Sequence, residues 1–320
     1  MKFRTELKYR KAAKAIDHES KITLIGSCFS DHISKKLLLA GFDVLANPHG
    51  ILFNPESIKN AVSDCLTGKT YAESDLVHNG EQWVSLSHHG KFSDPDPQVT
   101  LDRINDNIAE SRDFLIRSSH LILTLGTSWI YRHLKQDRIV ANCHKIPQAE
   151  FQKELLSIEH IVRSLSEMIG AVKEVNPSVS FLFTVSPVRH LRDGIVENTL
   201  SKARLHQAVH ELLKDESVHY FPSYEIMMDD LRDYRFYDSD MIHPNTTAID
   251  YIWEKFSDAW ILPSCKELMQ QVEGINRALE HRPLNPKSNR YREFREKIDQ
   301  EIKAVQKAHP QVRFIKKGSP

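Results

Sequence analysis

Two short stretches carry the residue types of acyl-transfer chemistry. One is Asp238-Ser239-Asp240-Met241-Ile242-His243-Pro244. Asp240 stands three residues before His243, a separation at which a single turn of chain can aim a carboxylate at the imidazole. A carboxylate so placed fixes the tautomer of the ring and stabilises its charged form, as a general base requires. Asp238 is a second acid nearby, but the spacing favours Asp240. The other stretch is Gly26-Ser27-Cys28-Phe29-Ser30, where the apolar run Ile22-Thr23-Leu24-Ile25 ends. It offers a thiol and a hydroxyl, and either becomes a nucleophile once a base takes its proton. Alone, this stretch reads equally as a tight turn with a buried thiol, and His243 as a loop residue ahead of a helix. Together they point to covalent chemistry.

Alternating apolar strands and helices supply the scaffold. Short β-branched and apolar runs at 21–25, 42–46, 120–125, 179–185 and 218–221 read as strands, several stopped by glycine or proline. Helical spacing is found at 30–40, from Pro55 to about 65, and at 101–118, 150–175, 198–215 and 246–260. The stretch 68–100 is polar and irregular, and 129–134 with 138–142 reads as a β-hairpin excursion. Alternation of this kind gives a mostly parallel sheet between helical layers. Right-handed crossovers then bring the strand C-termini to one rim. Gly26-Ser27-Cys28, Asn47-Pro48-His49-Gly50, Gly126-Thr127-Ser128 and Ser186-Pro187-Val188-Arg189 each follow a strand and should share that rim.

Composition narrows the function classes. Formal net charge is zero over 320 residues, so no whole-protein field favours nucleic acid or a membrane surface. Residues 281–320 hold 11 Lys and Arg against 4 Asp and Glu, which reads as a solvated basic helix face. Cys28, Cys65, Cys143 and Cys265 show no CxxC spacing, which fits a reducing cytoplasm rather than a zinc site or disulfide framework. The charged start has no apolar core of a signal peptide, and no run reaches the ~20 apolar residues of a membrane span. We read 1–262 as one α/β domain. Residues 263–320 read as a charged helical extension, interrupted at Pro283-Leu284-Asn285-Pro286 and frayed after Lys316. The sequence does not reveal an oligomeric state.

The order of blocks resembles the SGNH, or GDSL-like, hydrolase superfamily. Within it, Ile25-Gly26-Ser27-Cys28-Phe29-Ser30 and Asp233-Tyr234-Arg235-Phe236-Tyr237 running into Asp238–Pro244 are similar to the GSCFA-domain family. The resemblance covers roughly 22–256. It implies a three-layer α/β/α, flavodoxin-like fold with a five-stranded, mostly parallel sheet. It also implies hydrolysis of an O-acyl ester of a small molecule or carbohydrate, or transfer of the acyl group. Carried over, His243 is the base and Asp240 its orienting acid. Cys28 occupies the column of the superfamily serine and Ser27 that of its aspartate. A one-residue shift makes Ser27 the nucleophile instead, and both stay open. The resemblance places oxyanion donors at the nucleophile's own N–H, at Gly50, and in the third block, where Gly126-Thr127-Ser128 puts Ser128 in the column of an asparagine. Asn142 could return across the hairpin as a substitute.

Further candidates sit around this set. Arg189 could hold a carboxylate or phosphate of the substrate, and His89 and His144 could line its site. His88, His89 and His144 also admit a metal-dependent hydrolase, although no HxH or HExxH spacing appears and no metal is expected. No GxGxxG or P-loop is present, so no redox or nucleotide cofactor is expected. A catalytically weak module binding an acylated or carbohydrate ligand is the alternative, and a scaffold acting through the basic end is a third reading.

Overall fold

The computed structural model describes residues 4–281, 285 and 288–315. In chain order its strands are β1 (Lys21–Gly26), β2 (Asp43–Ala46), β3 (Leu76–His78), β4 (Trp83–Ser85), β5 (His120–Leu125), β6 (Trp129–His133), β7 (Arg138–Val140), β8 (Phe151–Leu155), β9 (Ser180–Val185) and β10 (Val218–Tyr220). Its helices are α1 (Cys28–Leu39), α2 (Pro55–Thr67), α3 (Pro97–Ile116), α4 (Ile158–Val175), α5 (Ile195–Leu212), a short α6 (Ser223–Glu225) opening into a π turn, α7 (Thr246–Trp260), α8 (Lys266–Glu280) and α9 (Asn289–Ala308). Five strands form a wholly parallel sheet in the order β10-β9-β5-β1-β2. This is the flavodoxin-like order, with its crevice at the carboxyl ends of the strands.

Period-two alternation divides the sheet between two cores. Leu121, Leu123 and Leu125 of β5 and Phe181, Phe183 and Val185 of β9 face α2, α4 and α5. Ile22, Leu24, Ile122 and Leu182 face the other way, against Phe29, Ile33 and Leu37 of α1 and Ile249, Ile252 and Phe256 of α7. Central strands buried on both faces read as unbroken apolar runs for this reason.

Three elements differ from the sequence reading. Residues 151–155 are a strand rather than the start of a long helix: β8 pairs antiparallel with β6, which also pairs with β7. α4 begins only at Ile158, after Ser157, whose hydroxyl accepts the His160 N–H as the N-cap. The irregular stretch contains the hairpin of β3 and β4. α1 starts at Cys28, two residues before the expected Ser30, so the thiol is its first helical residue.

The C-terminal helices pack back onto the sheet edge. Buried Asn276 of α8 donates to the Leu39 carbonyl at 2.8 Å and accepts from Ile315 N–H at 3.2 Å. Arg313 N–H donates to the Gly41 carbonyl at 2.9 Å. Most of the expected break at 283–286 and the terminal stretch from Lys316 lie outside the described residues.

Candidate active site

The turn after β1 is built to hold one residue in a set orientation. Gly26 has φ 155°, and a Cβ there would lie 2.3 Å from the Thr124 carbonyl oxygen of the neighbouring strand, so only glycine fits. Its N–H donates to Asn47 Oδ1 at 2.8 Å, and Asn47 Nδ2 donates in turn to Asp31. Asn47 itself adopts φ 45°, a left-handed conformation that asparagine tolerates. Ser27 is the N-cap of α1 but its side chain makes no capping bond. Its Oγ is fully buried and has no partner among the described residues. Cys28 follows, half-buried, and the Cys28 and Phe29 N–H groups favour its thiolate. The first N–H groups of a helix have no partner within it.

The thiol is less readily ionised than a helix N-terminus alone would make it. Burial raises its pKa, and Asp31, one turn along α1, adds to the rise. The two backbone N–H groups and Lys202 pull the other way without prevailing. Removing the carboxylate should therefore help ionisation. Asp31→Asn is expected to move the pH midpoint of Cys28 alkylation by iodoacetamide downward by roughly half to one pH unit. An unmoved midpoint would show that Asp31 does not act on the sulfur.

Asp240 and His243 come from one loop. Asp238 N–H donates to the His243 carbonyl at 2.8 Å, and Tyr237 bridges Pro244. Met241 at the tip takes φ 59°, a strained conformation for a non-glycine residue. Inside the loop Asp240 Oδ2 lies 2.7 Å from His243 Nδ1, while Oδ1 accepts the N–H groups of Ile242 and His243 at 2.8 and 3.0 Å. The hydrogen bonds from His243 and Ile242 hold the Asp240 pKa down at about 2. With Nδ1 occupied, Nε2 is the nitrogen left for a substrate or nucleophile.

This loop is tied to the segment that follows β9. Arg189 N–H, just past β9, donates to the Ile242 carbonyl at 3.3 Å. The His243 charge also acts on His32, one turn beyond Cys28, whose pKa desolvation and Lys35 already lower.

Several expected substrate contacts are occupied otherwise. Ser128 is buried, and its hydroxyl donates to the Ser201 carbonyl at 3.1 Å while its N–H donates to Ser201 Oγ at 2.8 Å. It therefore faces α5 rather than an oxyanion. The Gly50 N–H closes a turn onto the Asn47 carbonyl at 2.7 Å, and a Cβ at Gly50 would lie 2.1 Å from His89 Cβ. The Gly126 N–H donates to the Phe53 carbonyl at 2.7 Å. His89 Nδ1 accepts the Lys91 N–H at 3.2 Å. His144 Nε2 lies 2.8 and 3.0 Å from the Ser85 and His88 carbonyls, tying the hairpin excursion to the neighbouring loop. His88 stacks on His49 at 4.4 Å. Arg189 reaches Met228 Sδ at 3.2 Å.

Asn142 Oδ1 accepts the His144 N–H at 2.9 Å, and both residues line a cleft of about 510 Å³. Phe53, Trp129, Tyr131 and Phe151 form its aromatic walls, with Arg192 and Asp193 at the polar side. Cys28 and His243 do not line this cleft. His190 does, and its Nε2 would lie 3.1 Å from a Cβ on Gly126. Burial first, then Lys202, lower its pKa to about 4, and His243 adds to the lowering.

Sequence reasoning passed over the buried face of α5. Asn198, Ser201, Lys202, Leu205, Ala208, Val209 and Leu212 fall on one helical stripe. Its N-terminal part is polar and reaches the rim. Asn198 Oδ1 accepts the His190 N–H at 3.0 Å, and Asn198 Nδ2 is buried without a partner among the described residues. The signal was present as a helix whose apolar spacing starts late, with polar residues at the same phase before it.

The family model described as the GSCFA family matches residues 21–256, and that of the GSCFA domain protein, C-terminal domain, matches residues 272–317. No curated protein matches the chain. Among solved structures it is similar to a carbohydrate esterase family 3 protein from Talaromyces cellulolyticus, at 10% identity over 78% of this chain and 98% of that one, with a TM-score of 0.36. It is also similar to an acetyl xylan esterase from the rumen bacterium Butyrivibrio proteoclasticus, at 10% identity over 75% of this chain and 63% of that one, with a TM-score of 0.35.

Proposed function

The chain belongs to the GSCFA family, and on that premise we propose that it cleaves an O-acyl ester, or passes the acyl group to an acceptor, through a thioester on Cys28. The observation that carries this reading is the 2.7 Å Asp240–His243 pair in a loop bonded to the rim that also holds Cys28. Cys28 is favoured over Ser27 because it is only partly buried at the helix start, whereas the Ser27 hydroxyl is enclosed.

His243 Nε2 takes the thiol proton, and the thiolate attacks the acyl carbon. Backbone N–H groups at the start of α1 are the donors proposed for the developing oxyanion, a role the helix N-terminus suits. Collapse of the adduct expels the alkoxide, which takes the proton from His243. Water or an acceptor hydroxyl then gives its proton to His243 and attacks the thioester, restoring the thiol. Asp240 keeps the ring oriented throughout. The aromatic cleft beyond His190 suits one half of a carbohydrate or small-molecule ester, with Arg192 on its polar side. Among the described residues, no helix is long and apolar enough to cross a membrane. The four free cysteines support a reducing cytoplasmic setting.

The turned-away Ser128 and the engaged Gly50 N–H support a second reading, a module that binds an acylated ligand without turning it over. Acetyl, butyryl and octanoyl nitrophenyl esters and O-acetylated sugars separate the two. The enzyme reading expects turnover of at least one and its loss in His243→Ala. Saturable binding with no turnover of any would favour the binding module.

A further inference from the structure

The cleft of about 510 Å³ takes one wall from the three-stranded sheet β7-β6-β8. Trp129 and Tyr131 stand two residues apart on β6, so their side chains leave the same face. Val140 of β7 and Lys153 of β8 pair with Tyr131, and Phe151 pairs with His133, which places them on that face as well. Phe53 also lines the cleft, in edge contact with His190 at 5.1 Å between ring centres. Trp129 is held twice. Its Nε1 donates to the Glu197 carbonyl at 3.4 Å, and the Lys153 ammonium lies 4.3 Å from its ring centre. Fixed aromatic side chains give a ring-shaped ligand contact area at low entropic cost.

The charges along this lining do not balance. Asp193 is its one acid among the described residues, and it is paired with Lys153 at 2.5 Å. Lys145 and Arg192 line the same cleft, and neither makes a hydrogen bond or ion pair among the described residues. His144 and His190 add no charge at neutral pH, because burial lowers both pKa values, that of His190 to about 4. The cleft therefore holds two uncompensated cations and no free carboxylate. The turn that brings Lys145 into the lining is costly: His144 and Lys145 take φ 48° and 62°, left-handed conformations unfavourable for non-glycine residues. It is held by His144 Nε2 against the Ser85 and His88 carbonyls and by Asn142 Oδ1 on the His144 N–H.

We propose that this cleft binds a carbohydrate ring bearing a carboxylate or phosphate, with the ring against Trp129 and Tyr131 and the anion held by Arg192 and Lys145. The guanidinium fork matches two oxygens of either group, and the ammonium adds a second charge. That this ligand is the alcohol half of the ester rests on the proposed function. Its charge rests on the cleft alone.

Calorimetric titration of the wild-type protein at low salt with methyl glucuronide, glucose 6-phosphate and the neutral methyl glucoside tests this. At least one anionic sugar should bind about tenfold or more tighter than methyl glucoside, and the tighter of the two names the anionic group. The advantage should shrink as salt rises. It should vanish when Lys145→Gln and Arg192→Gln are combined, bringing the three affinities together. Both side chains are exposed, so this variant should keep its fold. Trp129→Ala should weaken all three sugars. Equal binding of neutral and anionic sugars, no binding of any, or an advantage that survives the double variant would overturn the proposal. Anionic binding without turnover of any ester would defeat the proposed function and leave the preference of the cleft standing. Turnover of nitrophenyl esters with equal binding of the three sugars would do the reverse.

Discussion

Replacing Cys28 with alanine is expected to reduce ester turnover by roughly 10⁴-fold or more, while Ser27→Ala stays within about tenfold of wild type. The asymmetry follows from one residue of register at the start of α1. Cys28 is only partly buried at the first position of α1. The Ser27 hydroxyl is enclosed, with no partner among the described residues. Of the two, Cys28 is the more accessible. Steady-state rates on the best nitrophenyl ester decide it. A Ser27→Ala enzyme that loses activity to the same extent, with its fold intact by circular dichroism, would move the nucleophile one position upstream.

The second large effect is expected at the acid and base. His243→Ala should lower kcat by roughly 10³-fold or more, because the thiol, whose pKa burial and Asp31 raise, then has no base to ionise it. Asp240→Asn should cost roughly 10²- to 10⁴-fold, since an amide in place of the carboxylate can stabilise the wrong tautomer of the ring. The pH profile adds a sign. The Asp240 pKa is depressed to about 2, so its carboxylate persists until pH falls through that value. An acid limb above roughly pH 3 in the wild-type profile therefore reports another group. Asp238→Asn is the control: its N–H bonds the His243 carbonyl, while the imidazole is held by Asp240.

Much of this arrangement was legible in the residues. The runs that became β1, β5 and β9 are apolar on both faces, and such strands announce themselves without alternation. Asp240 and His243 were readable because their bond is local, closed within one loop. Elements whose identity depends on distant partners were not. Residues 151–155 hold β8 through ladder bonds to β6, some twenty residues away, and those override the helical reading. Ser128 matched a motif column, yet its hydroxyl direction is set by Ser201 on a helix seventy residues later. Lys202 looked like any helical lysine, because burial is a property of the assembled fold. Asn47, which joins Gly26 to Asp31, gave no local pattern beyond a loop with proline.

A covalent acyl group on Cys28 should be visible by mass spectrometry of the acid-quenched protein after brief exposure to an acyl nitrophenyl ester. One added acyl mass is expected, mapped to the peptide containing Cys28 and released by hydroxylamine as a thioester is. The adduct should be absent in Cys28→Ala and slow to form in His243→Ala. Turnover by the wild type with no adduct at any quench time, or an adduct on Ser27, would overturn the assignment.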